Sequence, residues 1–264
     1  MKTVLISHIG NSRQNQEDNA VICKHYLDAE HVASLSQTRT AHCDVFEFNK
    51  KNNLILAVSD GMGGHSFGEI ASFLTVKHIS DNFDRIVSAD KSSLSAEIVE
   101  LNRKVWEVSR EDPKYKGMGA TLCGVVVNED SLIGFNIGDS RLYRYENGTL
   151  TLLTKDHSEG QRLLELGLLT EEEIKTFPNR KAICKYIGMK TDPVADVFDI
   201  DNCKSGALLL LCTDGLTDAL SNSEIRDILD KKAPLRNKGE ELLNTALRRN
   251  IGHGDNITII LIEF

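Results

Sequence analysis

Residues 54–69 read LILAVSDGMGGHSFGE. An apolar run stops on a carboxylate, Asp60, and glycines follow at 61, 63 and 64. Uninterrupted apolar residues bounded by turn formers mark a buried strand. The arrangement recurs at 208–215, LLLLCTDG, which ends on Asp214. Two further aspartates follow glycine at the mouth of a strand, Asp139 in NIGDSR and Asp255 in GHGDNITI.

Outward from that stretch, KTVLISHI, NAVICKHY, CDVFEFN and NLILAVSD are rich in β-branched and aromatic residues and read as four strands. Ser66 with Glu69 three positions on forms a capping box opening a helix that carries Ile70, Phe73, Leu74 and Ile79. A second helix carries Leu94, Ile98, Leu101, Val105 and Val108. Strands return in GATLCGVVVN, SLIGFNIGDS and RLYRYENGTLTLLT, the last with a hairpin signal at Asn147-Gly148. Residues 155–196 change character: short helices, a capping box at Thr170 and Glu173, then two prolines, which together read as an inserted subdomain. The chain closes with the strand ALLLLCTD, a short acidic turn, a helix from about Asn222 capped by Ser221 and Glu224, a helix with Leu242, Leu243, Ala246 and Leu247, and the strand NITIILIEF. There is no βαβ alternation, and strands come from both ends of the chain. An α+β sandwich in one domain, 1–264, is expected.

The length of 264 residues suits one domain with an insert as well as two domains. A net charge of −8 with scattered Lys and Arg argues against nucleic acid as a partner. The longest apolar runs fall far short of the ~18 residues of a membrane span, so no membrane insertion is expected. The N-terminal segment turns polar too early for a signal peptide. Six cysteines without a C-x-x-C read as reduced thiols, and a cytoplasmic protein is the expectation.

Each of the four aspartates, taken singly, also reads as a turn residue, because Asp bonds its own backbone and tolerates αL. Four strand ends of one sandwich lie near each other, however, and clustered carboxylates repel unless cations sit between them. Carboxylates without thiol or imidazole at ligand spacing suit Mg²⁺ or Mn²⁺. A fifth element, SRQNQEDNA, sets Arg13 ahead of Glu17 and Asp18. Alone it reads as a solvated turn. Beside metal-holding carboxylates, its guanidinium fork supplies the phosphate grip needed for phosphoryl transfer to water. No G-x-G-x-x-G, no P-loop and no cysteine followed six positions later by Arg is present, which leaves water as the nucleophile.

The ordered set RQNQED, VSDGMGGH, GATL, IGDSR, TKDHS, CTDGLTD and GDNITIIL resembles the metal-dependent PPM/PP2C serine/threonine protein phosphatases of bacterial type, over nearly the whole chain. The resemblance implies a four-layer αββα sandwich of two antiparallel sheets flanked by helix pairs, with 155–196 as the family's flap. It implies that Asp60, Asp214 and Asp255 bind one metal, that Asp60 and the Gly61 carbonyl hold a second, and that Glu17 and Asp18 act through metal-bound water. Asp139, assisted by Asp218, would hold a third ion, and Arg13 would grip the substrate phosphate. The implied cofactors are Mn²⁺ or Mg²⁺, and the implied partners are phosphorylated proteins and a cognate Ser/Thr kinase; a monomer is expected. Two alternatives accompany this reading: a phosphatase confined to one phosphorylated anti-sigma-factor antagonist, and a silent PP2C-like regulatory module.

The chain departs from the family at two places. Met62 stands where eukaryotic members place a histidine general acid, and the nearby His65 reads as a helix-entry residue. The flap segment RKAICK keeps Arg180 but ends on Cys184 and Lys185, and Lys does not reproduce the bidentate grip of Arg. Trp106 reads as a packing residue and His157 as a structural contact.

Overall fold

The protein is described by a computed structural model covering residues 1–49, 51–62, 67–129, 131–201, 203–249 and 254–264. In chain order come β1 (Lys2–His8), β2 (Asn19–Ile22), β3 (His25–Tyr26), α1 (Ala29–Thr38), β4 (His42–Glu47), β5 (Leu54–Ser59) and β6 (Gly61–Met62). Helices α2 (Gly68–Asp81), α3 (Phe83–Ile86) and α4 (Lys91–Glu111) precede β7 (Gly119–Ala120), β8 (Leu122–Val127), β9 (Leu132–Ile137), β10 (Arg141–Glu146) and β11 (Thr149–Leu152). After α5 (Glu159–Glu165) and α6 (Glu171–Thr176) follow β12 (Asp196–Ile200), β13 (Leu208–Cys212), α7 (Asp214–Thr217), α8 (Asn222–Leu229), α9 (Leu235–Arg249) and β14 (Ile257–Glu263).

The long strands form two six-stranded antiparallel sheets, ordered β11-β10-β13-β14-β1-β4 and β12-β9-β8-β5-β2-β3. Side chains alternate across each strand, so β5 sends Leu54, Leu56 and Val58 between the sheets and Ile55 and Ala57 outward. Leu5, Leu209, Leu211 and Ile260 meet the first group from the opposite sheet. Outside, Leu94, Ile98, Leu101 and Val105 of α4, with Ile79 of α2, cover Ile55 and Ala57. On the other flank Ile225 and Leu229 of α8 and Leu242, Leu243 and Ala246 of α9 cover Val4, Ile6, Leu210 and Leu261. Both sheets are thus buried on both faces, which is why their central strands read as unbroken apolar runs. The expected α+β sandwich of four layers is the observed fold.

Local departures have local causes. NAVICKHY is two strands, because Cys23 adopts φ 58 and turns the chain into a hairpin. GATLCGVVVN breaks at Thr121. The acidic turn after β13 is a helical turn, α7. Helix α1 goes unread in the sequence; Asp28 starts it by accepting from the Glu30 and His31 amides. The Ser66 capping box, with Gly63, Gly64 and His65, lies outside the described residues. Phe67, at φ 78, directly precedes α2 and makes no side-chain cap bond. The capping boxes at Thr170 and Ser221 form as read, and Asn147 and Gly148 turn the β10–β11 hairpin with φ 51 and 77.

Candidate active site

Strand register decides which loops meet. Asn19 pairs with Ser59, so Asp18 and Asp60 leave neighbouring strands at the same end. Leu122 pairs with Ile137, setting Thr121 beside Gly138 and Asp139. Cys212 pairs with Ile259 and His8 with Ile257, which bring Asp214, Asp255 and the loop after β1 to that same end.

Buried polar side chains hold these loops together. Asn256 accepts from the Glu17 amide at 2.7 Å and donates to the carbonyls of Ile9 (2.8 Å) and Asn15 (3.1 Å). Gly10, at φ 79, is wedged so tightly that a Cβ would lie 1.9 Å from the Asp255 carbonyl oxygen. Thr213 donates to Asp18 Oδ2 at 2.7 Å and accepts from the Thr258 amide. Thr121 accepts from the Asp60 amide at 2.9 Å and shares a 2.7 Å bond with Ser140, tying the Asp60 and Asp139 loops together. Arg39, just past α1, donates to the Arg13 carbonyl at 2.8 Å, and Ser36 of α1 accepts from the Gln16 amide. Asn256, Thr213, Thr121 and Arg39 had no role in the sequence reading; Thr121 and Asn256 lie inside the GATL and GDNITIIL motifs that carried the resemblance.

Charge is concentrated here. Burial pushes Asp60 well above the usual carboxylate range, and the charges of Asp18, Asp214, Asp139 and Asp255 push the same way. Burial likewise raises Asp18 against the hydrogen bond from Thr213, with Asp255 and Asp214 adding to the rise. Asp139 is raised to about 7 by burial and then by Asp214 and Asp156, and Asp214 to about 6 by burial and then by Asp218 and Asp255. One carboxylate oxygen of each of Asp18, Asp139 and Asp214 is buried without a hydrogen-bond partner. Anionic oxygens left bare in a cluster are a costly arrangement that divalent cations relieve, so the donor set fits hard metal ions.

Five of the sequence-derived aspartates and glutamates therefore share one field: Asp18, Asp60, Asp139, Asp214 and Asp255. Arg13 Nη2 donates to Asp255 Oδ2 at 2.6 Å at the rim, and Glu17 is raised by burial against the pull of Arg13. Gly61 packs where a Cβ would come within 2.2 Å of the Gly68 carbonyl oxygen, and its amide donates to the Glu17 carbonyl. Asp218 is exposed and ion-paired to Lys181. A cleft of about 340 Å³ runs from Asp139, Asp214 and Asp218 to Arg180 and Lys181 of the 155–196 segment. Lys185 donates instead to the Val194 carbonyl at 3.4 Å, and Cys184 Sγ approaches Glu159 at 3.5 Å. His157 accepts from the Gly138 amide through Nδ1 at 3.1 Å, a structural contact as read. Among the described residues, the one group of three His, Cys, Asp or Glu ligand atoms mutually within 4.8 Å lies elsewhere, at His25, His42 and Asp44.

A profile of the protein phosphatase 2C family matches residues 36–251. The serine/threonine phosphatase stp of Listeria welshimeri is 34% identical over 224 residues, covering 83% of this chain and 87% of its own. The protein phosphatase PhpP of Streptococcus pneumoniae serotype 2 is 32% identical over 267 residues, covering 100% and 97%. Among solved structures, the serine/threonine phosphatase of S. agalactiae superposes with a TM-score of 0.80 at 30% identity, over 99% of this chain and 98% of its own. The superposition runs over both sheets and the helices that cover them, so the sandwich architecture is shared with that phosphatase. The chain belongs to the protein phosphatase 2C family, a metal-dependent family of serine/threonine protein phosphatases. Arg13, Glu17, Asp18 and Asp255 fall outside the matched profile, whereas the pneumococcal relative aligns along the whole chain.

Proposed function

We propose that the acidic cleft hydrolyses phosphoserine and phosphothreonine in proteins, with two Mn²⁺ or Mg²⁺ ions held by Asp60, the Gly61 carbonyl, Asp214 and Asp255. The observation that carries this reading is the set of bare, buried oxygens of Asp18, Asp139 and Asp214 in one repelling cluster. Glu17 and Asp18 would hold the ions through metal-bound water, and Asp139 with Asp218 would hold a weaker third ion. When bound, such ions supply positive charge and lower the pKa of water to roughly 7, giving a nucleophile without a phosphoenzyme.

The chain's own residues do the rest. Arg13 spends one N–H on Asp255 and keeps others in its five-donor fork for the substrate phosphate. Its charge offsets that of the transferring phosphoryl group. Asn256 and Arg39 hold the loop that carries it. Arg180 and Lys181 face the acidic wall across the cleft, and residues 155–196 serve as a flap that lays the phosphopeptide against the centre. Phosphorylated targets of a cognate Ser/Thr kinase in the cytoplasm, met by a monomer, complete the reading. No helix is long and apolar enough to cross a membrane among the described residues. The test is phosphate release from phosphothreonine and phosphotyrosine peptides with Mn²⁺ and with chelator. Mn²⁺-dependent release from the phosphothreonine peptide is expected, and release that survives the chelator refutes the reading.

A further inference from the structure

Three histidines and two aspartates converge at an open edge of the sandwich, away from the acidic cleft. His25 lies in β3, the edge strand of one sheet, while His42 and Asp44 lie in β4, the edge strand of the other. Their two-residue spacing puts His42 and Asp44 on the same face of β4. The Nε2 atoms of His25 and His42 both donate to Asp44 Oδ2, each at 2.8 Å. Helix α1, which links the two edges, adds His31, with its ring centroid 5.1 Å from that of His42 and 6.5 Å from that of His25. His31 Nδ1 donates to Asp28 Oδ1 at 2.8 Å, which fixes the tautomer and leaves the lone pair on Nε2.

These are the parts of a transition-metal site. Ligand atoms on one tetrahedral ion with bonds of about 2.0–2.1 Å stand roughly 3.3 Å apart, so the trio at His25, His42 and Asp44 needs only small shifts. His31 stands beside this trio, with its ring centroid 5.1 Å from that of His42, but its ring nitrogens lie outside the group of ligand atoms and reach an ion there only by rotation of the side chain. Asp28 behind His31 is the carboxylate that orients a ligating histidine. All four side chains are partly exposed, so an ion can enter from solvent.

We propose that His25, His42 and Asp44 bind a Zn²⁺-class divalent ion that staples the two sheets along their open edge, with the neighbouring His31 completing the set once its side chain rotates inward. Imidazole-rich donors select zinc over the Mg²⁺ or Mn²⁺ that suit the all-oxygen cleft. On binding, the ring proton of His25 and of His42 moves from Nε2 to Nδ1 by exchange with solvent, and each freed Nε2 lone pair turns from Asp44 to the ion. The proposed site shares no residue with the acidic cleft, and zinc binding there is tested separately from hydrolysis.

The full chain, saturated with Mg²⁺, is titrated with Zn²⁺ by calorimetry and followed by thermal melting. About one Zn²⁺ per chain is expected to bind with a Tm rise of several degrees, and His42→Ala or His25→Ala should abolish both. In zinc-free buffer these variants should retain Mn²⁺-dependent turnover within about twofold, since neither contacts the cleft. Co²⁺ added to wild type should give the intense visible bands of a tetrahedral site, a readout that needs no variant. Equal zinc binding and melting in wild type and His42→Ala, or only the weak bands of octahedral Co²⁺, overturns the proposal.

Discussion

The side-chain oxygen of Asn256 accepts from the amide of Glu17 at 2.7 Å, joining the loop that carries Arg13 to the strand that begins beside Asp255. Asn256 is 3% exposed and also satisfies the carbonyls of Ile9 and Asn15. Asn256→Ala leaves three backbone groups unpaired, which costs about 1–3 kcal/mol in stability. It should also raise KM for phosphopeptide by letting Arg13 drift, as read by denaturant unfolding and steady-state kinetics.

If Arg13 grips the substrate phosphate as proposed, Arg13→Ala should mainly raise KM, because that phosphate is present in both ground and transition states. Arg39→Ala should produce a smaller change in the same direction by releasing the Arg13 carbonyl. Phosphopeptide kinetics at saturating Mn²⁺ check both.

Asp139 is raised to about 7 and Asp214 to about 6, so in metal-free protein the native state keeps protons that the unfolded chain, with ordinary carboxylates, has lost. The unfolded state then binds fewer protons between about pH 4 and 7, and stability falls as pH rises through that window. Metal-free Tm should therefore decline from pH 5 toward pH 7.5 by way of these groups, and Asp139→Asn should flatten the decline. Mn²⁺, which needs the ionised forms, should raise Tm more at pH 7.5 than at pH 5.5.

Thr121→Val keeps the shape of the side chain but removes the acceptor for the Asp60 amide and the link to Ser140. A loss of about 1–3 kcal/mol in stability is expected from the unpaired buried amide. Turnover should fall with it, because Asp60 is no longer held against the Asp139 loop.

The layers of the fold were legible because both sheets are covered on both faces, so strands such as 54–59 and 208–212 carry an unmistakable apolar run. The aspartates were legible because each sits where such a run stops. Helix α1 was not, since only Leu35 is buried along it and its start depends on the Asp28 cap rather than on a hydrophobic face. The pinning roles of Asn256, Thr213 and Thr121 were hidden for a different reason. Their partners lie between 19 and 247 positions away, and only strand register brings them together. The histidine cluster escaped for the same reason, being assembled from the edges of two different sheets.

On the proposed reading, the carboxylates at the strand ends form the metal centre that performs hydrolysis. The most direct test of that reading is Mn²⁺ calorimetry together with phosphothreonine-peptide turnover on wild type and Asp214→Asn. A folded variant with weakened Mn²⁺ binding and turnover reduced by about a hundredfold or more is expected. A variant that binds Mn²⁺ as wild type does and turns over at the wild-type rate would contradict it.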